Sequence, residues 1–188
     1  MIQKSICTVF EVGKIKKIGP EWKKFLGAEI RKLNDCIQLS QTNLTLNVGS
    51  IETMRSAVHK LLWLATTSRP DLLFDVAKLK SKIGCDQQSD FDCMNKLIRY
   101  VKYQKAYLSF NNIHSGDTNF IPPLFLYTDT PFGSPSWGGC LLFWGSDLIV
   151  RQSRKFRRVT CSTLAAEAFA LVELLDLICI MCDMFCIQ

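Results

Sequence analysis

The stretch from Leu124 to Leu171 constrains the fold more than any other part of the chain. It opens on a strand-like run, Leu124-Phe125-Leu126-Tyr127, that delivers a carboxylate, Asp129, at its C-terminal end. Two further strand-like runs, Gly138–Trp144 and Leu148–Gln152, are joined by Gly145-Ser146-Asp147, which has the composition of a tight hairpin turn. Ser162 or Thr163 is then a candidate cap for a helix whose first turns carry a second carboxylate, Glu167. A strand, a hairpin and a helix that bring one Asp and one Glu together make half of a site for a hard ion such as Mg²⁺. On spacing alone the simpler reading is favoured: an Asp at a strand end and a solvated helix Glu.

From Ile51 the period of the apolar residues becomes helical. Met54, Val58, Leu61, Leu62 and Ala65 recur at three and four, which predicts an amphipathic helix over Ile51–Thr66. Pro70 ends that helix or starts the next, and Asp71 stands in the new first turn, where the helix dipole favours an acid. Leu72, Leu73, Val76, Leu79 and Ile83 form a second stripe, interrupted by Lys80. Ser89 or Asp90 begins a third, with Phe91, Met94, Leu97, Ile98 and Val101 on one side. Helices of this kind are not stable singly and must pack on one another. Upstream, Ile37 and Leu39, then Leu44, Leu46 and Val48, alternate with period two, and a twisted hairpin is expected around Lys32–Asp35.

Taken together, these residues resemble the ribonuclease H region of copia-type LTR retrotransposon polyproteins. In that family a Tyr-Thr-Asp strand end precedes a Ser-Gly-Tyr strand, a Ser-Lys-Lys segment and a helix start of the form Ser-Ser-x-Glu-Ala-Glu-Tyr. The matching residues are Tyr127-Thr128-Asp129, Trp137-Gly138-Gly139, Ser153-Arg154-Lys155 and Ser162 through Phe169. The upstream blocks Arg55–Ala65, Arg69-Pro70-Asp71 and Leu97–Lys102 resemble the family's helical connection between polymerase and ribonuclease H. Phe25–Ile30 looks like the strand that follows the polymerase palm, and Ile37–Gln41 like its pairing strand, with a shortening at Thr42–Gly49.

The resemblance implies an α/β (α+β) chain. Residues 1–49 correspond to edge strands of the polymerase palm and thumb, a short N-terminal β-hairpin. Residues 50–110 form a helical connection, 111–121 a linker rich in Asn, Ser, Gly and Asp, and 122–188 a truncated ribonuclease-H-like fold. It also implies Asp129 and Glu167 as catalytic and Mg²⁺-binding carboxylates, and an RNA–DNA hybrid as partner. Two ions about 4 Å apart need several bridging oxygens, so one Asp and one Glu are too few. The family's third carboxylate lies on the strand after this helix, and its second acid in an Asp-x-Asp run corresponds here to Pro131. Glu173, Asp176 and Asp183 lie roughly 9, 13 and 24 Å further along the helix and cannot substitute. The polymerase Tyr-x-Asp-Asp motif does not occur in the chain. The expected product is a catalytically incomplete Pol fragment.

Arg151, Arg154, Lys155, Arg157 and Arg158 place five cations within eight residues, and a net charge of +6 fits an anionic partner. A solvated edge strand guarded by charge, or a nuclear-import-like patch, is the alternative. The 48% hydrophobic and 21% charged composition is that of a globular chain. Nine cysteines without a secretory leader imply reduced thiols in the cytoplasm or nucleus rather than secretion. Cys179, Cys182 and Cys186 lie along one helix face and read as core or interface rather than zinc ligands. The apolar tail Leu171–Ile187 contains Glu173, Asp176 and Asp183, which argues against a membrane span. It is expected to be a helix that promotes self-association instead.

Overall fold

The computed structural model describes residues 18–34, 36–41, 51–84, 87–111, 122–130, 137–156 and 162–185. The helical period is realised as α1 (Ile51–Thr67), a 3₁₀ turn at Pro70–Leu72, α2 (Leu73–Lys80) and α3 (Gln88–Tyr103). Met54, Val58, Leu61 and Ala65 recur every three or four residues on α1 and are fully buried with Leu72, Val76, Met94 and Ile98 from the other helices. Burying each such side chain removes roughly 1.5–3 kcal/mol of unfavourable hydration, so this cluster holds the three helices together. The second apolar stripe outlasts its helix. The Ser81 hydroxyl bonds the Lys78 carbonyl, and Gly84 turns the chain at φ 103°, so Ile83 packs on the core from a turn. On α3 the first-turn Asp90 is buried and accepts a 2.6 Å hydrogen bond from the Lys82 ammonium, tying the turn to the helix start.

The corner between α1 and α2 is held by one side chain. Arg69 is 3% exposed. Its Nε and Nη2 donate to the two Asp71 carboxylate oxygens at 2.9 and 2.7 Å, and its Nη1 donates to the Gln104 carbonyl at 2.5 Å. The guanidinium also lies 5.3 Å from the centre of the Tyr100 ring. One cation therefore fixes the α1–α2 corner and satisfies a carbonyl just past the end of α3, a planar fork that lysine cannot reproduce.

Two antiparallel sheets flank the helices. The first joins β1 (Lys23–Phe25), β2 (Ala28–Lys32), β3 (Cys36–Ser40) and β4 (Leu108–Asn111) in that order. Phe25–Ile30, expected as one strand, is a hairpin instead. Leu26 and Gly27 sit at φ 48° and 80° and form a two-residue turn, with Phe25 opposite Ala28. Positive φ at both turn positions matches the right-handed twist of the flanking strands, which overrides the cost of placing Leu there. The hairpin expected around Lys32–Asp35 forms between β2 and β3, where Leu33 N donates to Cys36 O at 2.9 Å. β4 begins five residues after α3 ends and pairs with β3, so the helices are an excursion between two strands of one sheet. The expected strand residues Leu44, Leu46 and Val48, and the linker after Asn111, lie outside the described residues.

The second sheet, β5 (Leu124–Asp129), β6 (Trp137–Trp144) and β7 (Asp147–Lys155), is the expected strand and hairpin, with a tight turn at Gly145-Ser146 and an irregularity at Leu142/Phe143. Ser162 caps the final helix, α4 (Thr163–Phe185), accepting from the Ala165 amide at 3.1 Å. Ala166, Ala170 and Leu174 are its buried stripe, and the helix packs on β5 and β6. The two sheets are stitched at Asp147, which is buried and accepts the Asn111 backbone amide at 2.9 and 3.0 Å and the Asn111 amide side chain at 2.9 Å.

Arg69→Met is expected to lower stability by about 1–3 kcal/mol in urea titration, because it strands the Asp71 carboxylate and the Gln104 carbonyl. Acid should weaken the same corner. Burial pushes the Asp71 carboxyl up, but the hydrogen bonds and charge of Arg69 outweigh it and leave the pKa below its ordinary value. A carboxyl depressed in the folded state contributes stability that is complete above about pH 4 and is lost as pH falls further. The acid limb of the stability profile should therefore flatten in Asp71→Asn.

Candidate functional site

Strand alternation sorts the second sheet into two faces. Leu126, Thr128, Cys140, Leu142 and Gln152 share the face covered by α4. Phe125, Tyr127 and Asp129 lie on the other, with Leu141, Gly139 and Trp137 opposite or beside them in register. That second face meets the helical unit: the Phe74 and Trp137 rings pack edge to face at 6.0 Å, and α2 lies against β7. Between them runs a cleft of about 470 Å³, lined among others by Pro70, Phe74, Tyr127, Asp129, Trp137 and Gly139.

Asp129 is exposed and opens into this cleft. Asp71 also lines it, but both its oxygens are engaged by Arg69. Glu167 is exposed on α4, one residue past the buried Ala166, and is not among the lining residues. Among the described residues no group of three or more His, Cys, Asp and Glu forms that could hold a metal ion. The expected pair of carboxylates is not gathered in one cleft: Asp129 lies on the sheet face turned to the helical unit, and Glu167 is carried by α4, which covers the opposite face. One Asp and one Glu would in any case be too few to bridge two ions. Cys179 is exposed and forms no disulfide among the described residues, and the side chains of Cys182 and Cys186 lie outside them.

The basic run divides along the strand. Arg151 donates from Nη2 to the Thr66 and Thr67 carbonyls at 2.6 and 2.7 Å, and from Nε to Thr66 at 3.2 Å. These are the last carbonyls of α1, which have no partner inside the helix and carry its negative dipole end. Burial pushes the Arg151 pKa down, and the guanidinium serves as a helix cap rather than as a surface cation. Arg154 and Lys155 are exposed at the end of β7, with the Arg154 guanidinium 5.8 Å from the Phe156 ring centre. Arg157 and Arg158 lie outside the described residues. Gly138 has a packing reason of its own: a Cβ there would collide with the Phe156 ring, which meets Phe169 of α4 edge to face at 5.7 Å.

Sequence reasoning missed both Phe74 and the capping role of Arg151. Alternation alone groups Tyr127 with Asp129, but nothing local links Phe74 to Trp137 across more than sixty residues of chain. Arg151→Gln is expected to cost about 1–2 kcal/mol of stability through the freed α1 carbonyls, measured by thermal or urea unfolding. Lys155→Gln, at an exposed position, should leave stability within about 0.5 kcal/mol of the parent.

Among the described residues, no helix is long and apolar enough to cross a membrane. No family model matches the chain, and no curated protein or solved structure is significantly similar to it.

Proposed function

We propose that the chain is a catalytically incomplete piece of a copia-type retrotransposon Pol protein, joining the polymerase–ribonuclease H connection to the first half of a ribonuclease-H-like domain, and that it retains affinity for an RNA–DNA hybrid. One observation carries the reading. Three antiparallel strands and a following helix, β5-β6-β7-α4, carry Asp129 at the C-terminal end of the first strand and Glu167 in the early turns of the helix. That order is what the resemblance implies for a ribonuclease H core. The cations Arg154 and Lys155 lie at the end of β7 nearest the C-terminal end of β5, where the chain leaves the sheet toward α4. Phosphate contact there would be salt-dependent, since each neutralised phosphate releases counterions.

A second reading rests on α4 itself. Leu164, Val172 and Ile180 are 76%, 58% and 56% exposed, with Leu171 and Leu175 also uncovered, so the helix presents apolar surface on sides turned away from the sheet. Burial of such surface against another chain would make the protein a self-associating, non-catalytic remnant.

The two readings respond oppositely to salt. Hybrid binding, followed by fluorescence anisotropy, should weaken steeply between 50 and 200 mM salt. Replacing Arg154, Lys155, Arg157 and Arg158 by Gln should flatten that dependence, while self-association persists or strengthens. No binding at low salt would end the nucleic-acid reading and leave the second. Purified chain should show no Mg²⁺-dependent hybrid cleavage; cleavage abolished by Asp129→Asn would overturn the catalytically incomplete assignment.

A further inference from the structure

The cleft beside Asp129 has a chemistry of its own, independent of the hybrid-binding reading. Its described lining contains no Lys, Arg or His. Of its two carboxylates, Asp71 is neutralised by Arg69, which leaves Asp129 as the charge facing the space. Three aromatic residues line the same cleft: Phe74 from α2, Tyr127 from β5 and Trp137 from β6. Phe74 and Tyr127 are 49% and 59% exposed. Tyr127 meets Phe143 edge to face at 5.8 Å and the Lys78 ammonium lies 6.0 Å from the Phe74 ring centre, so each ring keeps open surface beside these contacts. Directly opposite Asp129 in register stands Gly139, where an added Cβ would meet only the Gln152 carbonyl, at 3.8 Å. The floor between carboxylate and rings is therefore bare backbone.

Aromatic faces carry a negative quadrupole and attract weakly hydrated cations, and a nearby carboxylate adds Coulomb attraction. A phosphate would meet the same carboxylate with repulsion, and the neighbouring cations, Lys78 beside Phe74 and Lys155 opposite Trp137, are not among the residues that line the cleft. A hydrated divalent ion would find one free carboxylate and apolar rings, which replace none of its water. We propose that this cleft is a binding site for an alkylated ammonium group, with Phe74, Tyr127 and Trp137 as aromatic walls and Asp129 as counter-ion. The chemistry is shared by a free quaternary amine and by a methylated lysine side chain of a peptide.

Trp137 reports on the site directly. Titration of the full chain with tetramethylammonium, choline and a trimethyllysine peptide, followed by tryptophan fluorescence and calorimetry, should give saturable binding. Tighter binding of the peptide than of choline assigns a protein partner, and the reverse a small molecule. Asp129→Asn should weaken binding about fivefold or more, in line with a desolvated cation–π and charge contact. Gly139→Leu, which fills the floor and keeps every charge, should abolish it, while circular dichroism shows both variants folded. Lys24→Gln, on the exposed edge of the other sheet, should bind as the parent does. The neutral isostere 3,3-dimethylbutanol should not compete. Absence of saturable binding, equal binding of the neutral isostere, or unchanged affinity in both cleft variants would overturn the proposal. Loss of hybrid binding alone would leave it standing.

Discussion

The Arg69 guanidinium is the interaction on which the architecture turns. It holds the corner between α1 and α2 through the Asp71 carboxylate and reaches the Gln104 carbonyl beyond α3. A buried cation is costly unless every donor finds a partner, and here the pairing supplies both charge neutralisation and geometry. The position of α2 follows from that corner, and with it the placement of Phe74 against Trp137. The cleft is thus set by a residue that does not line it.

Charge elsewhere in the molecule is similarly structural. Asp147 gathers the Asn111 amides at the junction of the sheets, Arg151 closes the end of α1, and Asp90 holds the α2–α3 turn through Lys82. Among these groups Arg151 is the cation held by neutral carbonyls rather than by an acid, so it adds to the formal net charge of +6 while being engaged within the fold. Arg154 and Lys155 are exposed at the strand end, whereas Arg151, three residues earlier, is committed to α1.

Local patterns were readable because local physics produces them. The three helices, the β6–β7 hairpin and the Ser162 cap follow from apolar period, turn composition and a hydroxyl before a helix. What escaped reading depends on partners distant in sequence or on exceptions to residue preference. Leu26 accepts a positive φ that its side chain disfavours, because the hairpin around it demands one. Leu108–Asn111 is a strand because Cys36–Ser40 offers it an edge, and the intervening helices hide that pairing from any short window. Arg151 reads as one more solvated cation until the end of α1 is placed beside it.

The pairing of β3 with β4 has a consequence for how the chain reaches this state. Every residue of the helical core lies inside the loop that those two strands close. Closing a loop over disordered chain costs entropy with little return, whereas a folded helical unit brings the two strand ends together at small further cost. The helices are therefore expected to consolidate first and the sheet to close last. A peptide that starts after Ser40 would keep the helical core but leave Leu108–Asn111 without its neighbour, loosening the Asn111–Asp147 junction to the second sheet. The N-terminal strands act as a latch that fastens the C-terminal sheet to the helices from the far end of the chain.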